Sequence, residues 1–217
     1  MRVLNVCILV GVIGIAPASA RADTIGMLGI DNGGLAGWSV LFDLTVLDPD
    51  GLLITDLDVN INSVTPVGTA FSLDIYTRSG TAVGFAENGG IGWTLATSGT
   101  GVSAAEGSPS PVNLLDFLVL APGVTGIAIV YNNAGPAYFN GSLTFGNADL
   151  SLTGYEATVN QSGLFSGIVF APRTWSGTIT YQTDTVSVPE PASLTLLGLG
   201  LSLAGMAGRR WRQRKAS

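Results

Sequence analysis

Carboxylates are the main reactive side chains in the central part of this 217-residue chain. The chain contains no histidine, its one cysteine is Cys7, and its one lysine is Lys215. A serine in the central part therefore lacks a histidine or lysine base, and thiol nucleophiles and Cys/His metal sites are excluded there. Carboxylate pairs of the kind used in glycoside hydrolysis remain, but Glu87, Glu106 and Glu156 lie in no recognisable catalytic setting. We predict that the protein is not an enzyme and carries no cofactor, with a carboxylate-dependent secreted hydrolase as an alternative.

An acidic turn offers a weak metal-binding pattern. Asp48 and Asp50 flank a proline in the segment Asp-Pro-Asp-Gly, and Asp56 follows shortly after it. Carboxylate oxygens are ligands for calcium, but this spacing does not fit an EF-hand loop. Asp, Pro and Gly are also the ordinary residues of a hairpin turn. We therefore predict no metal site and keep Asp48, Asp50 and Asp56 as weak calcium candidates.

Aromatic side chains offer a second possible binding chemistry, because exposed rings stack on the apolar faces of sugars. The candidates are Trp38, Trp93, Trp175, Tyr76, Tyr131, Tyr138, Tyr155 and Tyr181. Core packing is the commoner use of such residues. A carbohydrate-binding module, with exopolysaccharide as its ligand, therefore stays open as an alternative to a structural role.

Charge is distributed very unevenly along the chain. Residues 23–188 contain two cations, Arg78 and Arg173, and fourteen carboxylates, which is a formal charge of −12. A segment with this charge is repelled by nucleic acid and by anionic membrane surfaces. The sequence therefore predicts that nucleic acid is not a partner.

Residues 1–22 have the pattern of a signal peptide. Arg2 precedes an apolar run that ends before Pro17, and small residues follow it. Signal peptidase accepts small side chains immediately before the cut and two positions earlier. We predict cleavage after Ala22, or alternatively after Ala20, with the export translocon and signal peptidase as partners.

The C-terminal segment combines three elements in a fixed order. Pro189, Glu190 and Pro191 precede an uncharged run over residues 192–208. A basic tail over residues 209–215 follows, with Arg209, Arg210, Arg212, Arg214 and Lys215. A helix over the uncharged run would be roughly 26 Å long, sufficient to cross a bilayer core. The basic tail would hold its own end in the cytoplasm and place the preceding body on the far side, as the signal peptide also requires.

This order of elements resembles the PEP-CTERM sorting signal. The resemblance implies that an exosortase, a membrane protease, recognises Pro189, Glu190 and Pro191, and that the basic residues from Arg209 form a retention cluster. It also implies export, transient anchoring in the inner membrane and delivery to the cell surface or the extracellular (biofilm) matrix of a Gram-negative bacterium. The body between the two signals would then be structural or adhesive.

The body, residues 23–182, is predicted to be all-β. Apolar and polar residues alternate in several short segments, for example around Leu57 and Leu73, and no amphipathic helix separates them. This pattern predicts an antiparallel β-sandwich or jelly-roll fold. Residues 98–111, rich in Ser, Gly and Pro, are predicted to form a long loop. Residues 183–188 are predicted to form a short stalk before the sorting signal at residues 189–215.

Overall fold

The structure is a computed structural model, and it describes residues 22–160 and 163–183. Every secondary-structure element in these two ranges is a β-strand. The strands are β1 (Ala22–Met27), β2 (Asn32–Gly33), β3 (Ser39–Val46), β4 (Leu52–Val59), β5 (Ala70–Ser79), β6 (Thr94–Val102), β7 (Ser110–Leu114), β8 (Leu118–Leu120), β9 (Gly123–Tyr131), β10 (Ala137–Asn140), β11 (Thr144–Gly146), β12 (Leu150–Thr158), β13 (Val169–Phe170), β14 (Arg173–Trp175) and β15 (Gly177–Thr183).

One large sheet contains most of the strands. Its order is β1-β15-β4-β7-β6-β5-β9-β3-β12-β11, with β13 paired to β12 and β8 paired to β4. A second sheet has the order β14-β10-β2. All of the pairs between these strands are antiparallel. Because β1 also lies close to β11 and β12, the large sheet curls until its two ends approach each other. The prediction of an all-β, antiparallel body is confirmed.

The interior of the curled sheet is the main hydrophobic core. Alternate side chains of β4 and β15, such as Leu57, Ile179 and Tyr181, point into it and are buried, as the period-two pattern requires. At its centre the ring of Trp175 stacks on Phe42 with 5.1 Å between ring centroids. The indole Nε1–H of Trp175 donates a hydrogen bond of 3.0 Å to the hydroxyl of Tyr131, and both residues are fully buried.

Strands β3 and β9 are buried on both faces. Phe42 of β3 faces the main core, whereas Leu41 of the same strand packs into a second cluster with Val130 of β9. The second cluster is covered by two connecting segments, which contribute Trp93 and Phe165. Burial on both faces explains why these two strands are nearly continuous apolar runs rather than alternating ones.

The predicted long loop at residues 98–111 is only half correct: residues 103–109 connect β6 to β7, whereas residues 98–102 and 110–111 are strand. β6 continues to Val102 and β7 begins at Ser110. A side chain at Gly101 would place its Cβ 2.5 Å from Cζ of Phe71 and 2.5 Å from the carbonyl oxygen of Pro111. Gly99 and Gly101 are therefore positions where neighbouring strands approach too closely for a side chain.

The two ends of the chain lie largely outside the described residues. Within residues 22–160 and 163–183, we find no helix with the length and apolar character needed to cross a bilayer. The predicted helix over residues 192–208, the predicted signal peptide except Ala22, and the predicted stalk after Thr183 are outside these ranges.

The buried hydrogen bond at the centre of the core leads to a stability prediction. Tyr131→Phe removes the acceptor of the Trp175 N–H and leaves that donor unsatisfied in an apolar environment. We expect the free energy of unfolding to fall by about 1–3 kcal/mol, measured by urea denaturation. The control is Tyr155→Phe, which removes the hydroxyl of a half-buried tyrosine outside the main core and should change it by less than about 0.5 kcal/mol. Equal effects of the two substitutions would contradict the assigned role of the bond.

Candidate functional site

The predicted sorting residues lie outside the described part of the chain, but the strand that leads to them is described. Pro189, Glu190, Pro191 and the basic cluster from Arg209 follow β15, which ends at Thr183. β15 pairs with β1 on one side and with β4 on the other. The segment that leads to the sorting residues is therefore joined to a strand held on both edges by the sheet.

The first described strand lies beside the last one. In the β1–β15 register, Ala22 is opposite Gln182 and Met27 is opposite Gly177. Neighbouring strands are about 4.8 Å apart, so the chain enters β1 and leaves β15 at the same end of the sheet. Ala22, the predicted cleavage position, is the first residue of β1, and the position of the cut stays a prediction.

A polar network joins the two ends of the curled sheet near these exit points. The side-chain amide of Asn147 donates hydrogen bonds to Oδ2 of Asp23 at 3.1 Å and to the Tyr181 hydroxyl at 2.7 Å. That hydroxyl lies 3.4 Å from Oδ2 of Asp149. Burial raises the pKa of Tyr181, and the carboxylates of Asp149 and Asp23 act in the same direction, against the hydrogen bond from Asn147. The network therefore holds β1 and β15 against the turn before β12.

The three calcium candidates are not gathered into one site. Oδ1 of Asp48 accepts a hydrogen bond of 2.8 Å from the backbone N–H of Asp50, as in an ordinary turn. Asp56 is exposed on β4, opposite Thr180 of β15. Among the described residues, no group of three or more carboxylate, histidine or cysteine side chains is arranged to hold a metal ion.

The aromatic candidates for sugar stacking are used in packing. Trp93, Trp175, Tyr131, Tyr138 and Tyr181 are buried, and the remaining candidates, Trp38, Tyr76 and Tyr155, are half-buried. Even the half-buried Trp38 has its ring stacked on Phe170, with 5.2 Å between centroids. These eight residues therefore form no exposed aromatic platform.

The two cations of the described residues lie against aromatic rings. Cζ of Arg78 is 2.9 Å from the ring centroid of Phe85 and 5.7 Å from that of Trp93. Cζ of Arg173 is 5.7 Å from the ring centroid of Tyr138. Such contacts combine packing of the planar guanidinium group with an electrostatic attraction to the ring face. Both arginines therefore contribute to the packing of the body.

Two of the predicted carboxylates interact with each other. Burial raises the pKa of Glu156, and the charge of Glu87 raises it further, while a hydrogen bond with the backbone of Gly84 opposes both. Oε2 of Glu156 is buried without a hydrogen-bond partner. Neither glutamate lines the surface groove of about 400 Å³ near the start of β6. The pair thus destabilises the ionised form of Glu156.

The raised pKa of Glu156 predicts a pH-dependent stability. In the unfolded chain the Glu156 carboxyl group ionises at its ordinary pKa of 4.5. In the folded protein its pKa is higher, so ionisation of Glu156 at neutral pH lowers the free energy of unfolding. This destabilisation disappears as the pH falls towards 4.5. We expect Glu156→Gln to raise the urea midpoint relative to the wild type at neutral pH. The difference should close at about pH 4. Asp116→Asn, which removes an exposed carboxylate, should show no such pH-dependent gain, and a lower midpoint for Glu156→Gln at neutral pH would contradict the assignment.

A surface groove of about 400 Å³ near the start of β6 has no counterpart among the sequence predictions. It is lined by the end of β5, the start of β6, β8 and the start of β9, with Arg78 as its one charged lining residue. The shape of the groove depends on which strands are neighbours in the sheet, and no local sequence pattern predicts which strands will be neighbours.

Comparison with known proteins identifies the C-terminal segment. No curated protein matches the chain. Residues 187–215 match the family model of the PEP-CTERM protein-sorting motif. The match includes Pro189, Glu190, Pro191 and the basic cluster, and it begins after three intervening residues beyond the end of β15. The chain is therefore a β-strand body followed, three residues after β15, by a PEP-CTERM sorting motif.

Proposed function

We propose that this protein is an exported, non-enzymatic component of the cell surface or extracellular matrix. An exosortase processes it through the sorting motif after transient anchoring in the inner membrane. The observation that carries the proposal is the match of residues 187–215 to the PEP-CTERM motif. The body then has a structural or adhesive role, with no reaction assigned to it.

The chemistry of the motif suits recognition by a protease. Pro189 and Pro191 lack backbone donors and disfavour a helix, so the segment between them favours an extended form. Glu190 supplies one charge between the two prolines. An extended segment with a single charge offers a protease both an accessible backbone and a point of discrimination.

The position of β15 supports a structural role for the body. Force applied through the C-terminal segment would act along β15, which has six residues in register with β1 and seven with β4. Hydrogen bonds between antiparallel strands run perpendicular to the strands, so this force would load many of them in shear together. An attachment point at this strand is therefore well placed to bear load.

The central experiment compares the intact mass of the protein from cells with and without the exosortase. We expect the processed form to have lost the signal peptide and the C-terminal tail, and the tail to remain when the protease is absent. Glu190→Gln should reduce the processed fraction on the order of tenfold or more, because hydrogen bonds to charged groups contribute about 1.5–3 kcal/mol.

The matched control is Glu106→Gln, which neutralises a glutamate of the body and should leave processing unchanged. Recovery of the full-length chain from the cytosol would contradict export. Equal processing of the Glu190→Gln and wild-type chains would show that Glu190 is not read by the protease.

A further inference from the structure

The large sheet is not closed between β6 and β8. β6 pairs with β7 from Gly101↔Val112 to Gly99↔Leu114. Continuing that register would place Thr94 opposite Val119 of β8. Instead, residues 115–117 interrupt the strand, and β8 pairs with β4. Thr94 and Val119 both line the groove of about 400 Å³, which therefore occupies the position of the missing pairing.

Two strand edges border this groove without a strand partner. Within the described ranges, β8 pairs with β4 alone, and Thr94 and Leu95 of β6 pair with β5 alone. Unpaired strand edges offer backbone N–H and C=O groups to any extended chain that reaches them. The groove is thus a place where a strand can be added by backbone hydrogen bonding.

The border of the groove also exposes apolar side chains. Leu95 of β6 is 50% exposed, and Leu115, Phe117 and Val119 along β8 and the segment before it are 73%, 62% and 67% exposed. Apolar side chains grouped around an open backbone edge indicate a partner that covers them. A partner with alternating apolar and polar side chains would satisfy both features.

We propose that the groove binds residues 184–188 of a second copy of this protein as an added strand. This segment reads Asp-Thr-Val-Ser-Val, with Val186 and Val188 alternating with hydroxyl residues. Pro189 lacks an N–H and ends the strand. The segment carries the negative charge of Asp184 and no cation, which complements Arg78 as the single charged lining residue of the groove.

The reach of the chain favours a second copy over the protein's own segment. Thr183 and Leu120 lie on opposite sides of Leu52, as its partners in β15 and β8. The chain would have to pass β4 and β8 to enter the groove, a distance of about 14 Å at the usual strand spacing. Five extended residues span only about 16 Å. Residues 184–188 of the same chain would therefore be too short both to pass β4 and β8 and to lie in the groove.

This inference deepens the proposed function and rests on it, because residues 184–188 must remain with the body after processing. The groove and the segment are different surfaces of the same molecule. Such a heterologous contact does not close on itself unless the rotation between copies forms a ring. Copies joined in this way would form open chains, which suits a matrix component.

Disulfide trapping between two single-cysteine chains tests the proposal. Cys7 is the one cysteine of the sequence and lies in the predicted signal peptide, so new cysteines report on docking. Val119→Cys is placed in one chain, and Val186→Cys or Ser187→Cys in the other. The last two substitutions sample both faces of the added strand, because successive side chains alternate. Both chains are purified in processed form, mixed and oxidised.

We expect Val119→Cys to form dimers with one of the two partner variants. The yield should exceed that of Val67→Cys by at least about tenfold, because docking raises the local concentration of the thiols. Val67 is the matched control, since it is 69% exposed and is not a lining residue of the groove. Equal yields for the two positions would overturn the proposal.

Two further outcomes separate this inference from the proposed function. Linkage found only when both cysteines are in one chain would show docking of the protein's own segment and would overturn binding to a second copy. Intact masses are recorded for every chain. Normal processing without selective dimers, or processing that removes residues 184–188, would overturn the inference and leave the proposed function standing.

Discussion

The pairing of β15 with β1 on one edge and with β4 on the other is the constraint on which the rest of the body depends. It brings the first and last described strands together and lets β15 contribute Ile179 and Tyr181 to the core. The contacts join residues more than 100 positions apart, and Ala22 and Gln182 are 160 apart. Contacts of this separation form late in folding, because closing the long loop costs entropy first. The body can therefore complete its sheet only after the whole segment up to Thr183 is available, which suits a chain exported before it folds.

Strands with regular alternation were predictable from the sequence, whereas strands shaped by their neighbours were not. β4, β5 and β15 alternate because one face of each meets the core, and that pattern is visible in the residues alone. Around Gly101 the sequence indicated a loop, because a glycine required by close strand contact looks the same as one required by a turn. β10 and β14 are short and are defined by their pairing with each other. Their existence depends on distant parts of the chain.

The candidate site divides in the same way. The sorting motif is linear, so its prolines, its apolar run and its basic residues could be recognised together in about thirty residues. The groove beside β8 arises because β7 ends at Leu114 and the following strand, β8, pairs with β4. A single sequence does not show which strands will pair. The aromatic residues follow the commoner of the two uses that the sequence left open. Trp175 and Tyr131 have the composition of a binding platform, yet their hydrogen bond and stacking place them at the centre of the core.

The charge of the body limits how copies can meet. A formal charge of −12 over residues 23–188 opposes contact between bodies, so association through broad surfaces is disfavoured. At physiological salt this repulsion is screened beyond about 8 Å. The lining of the groove includes Arg78 and no carboxylate, and the strand edges there offer backbone groups whose hydrogen bonds do not depend on net charge. Repulsion between bodies and pairing through a tethered strand are therefore compatible, and together they favour an extended arrangement of copies over a compact one.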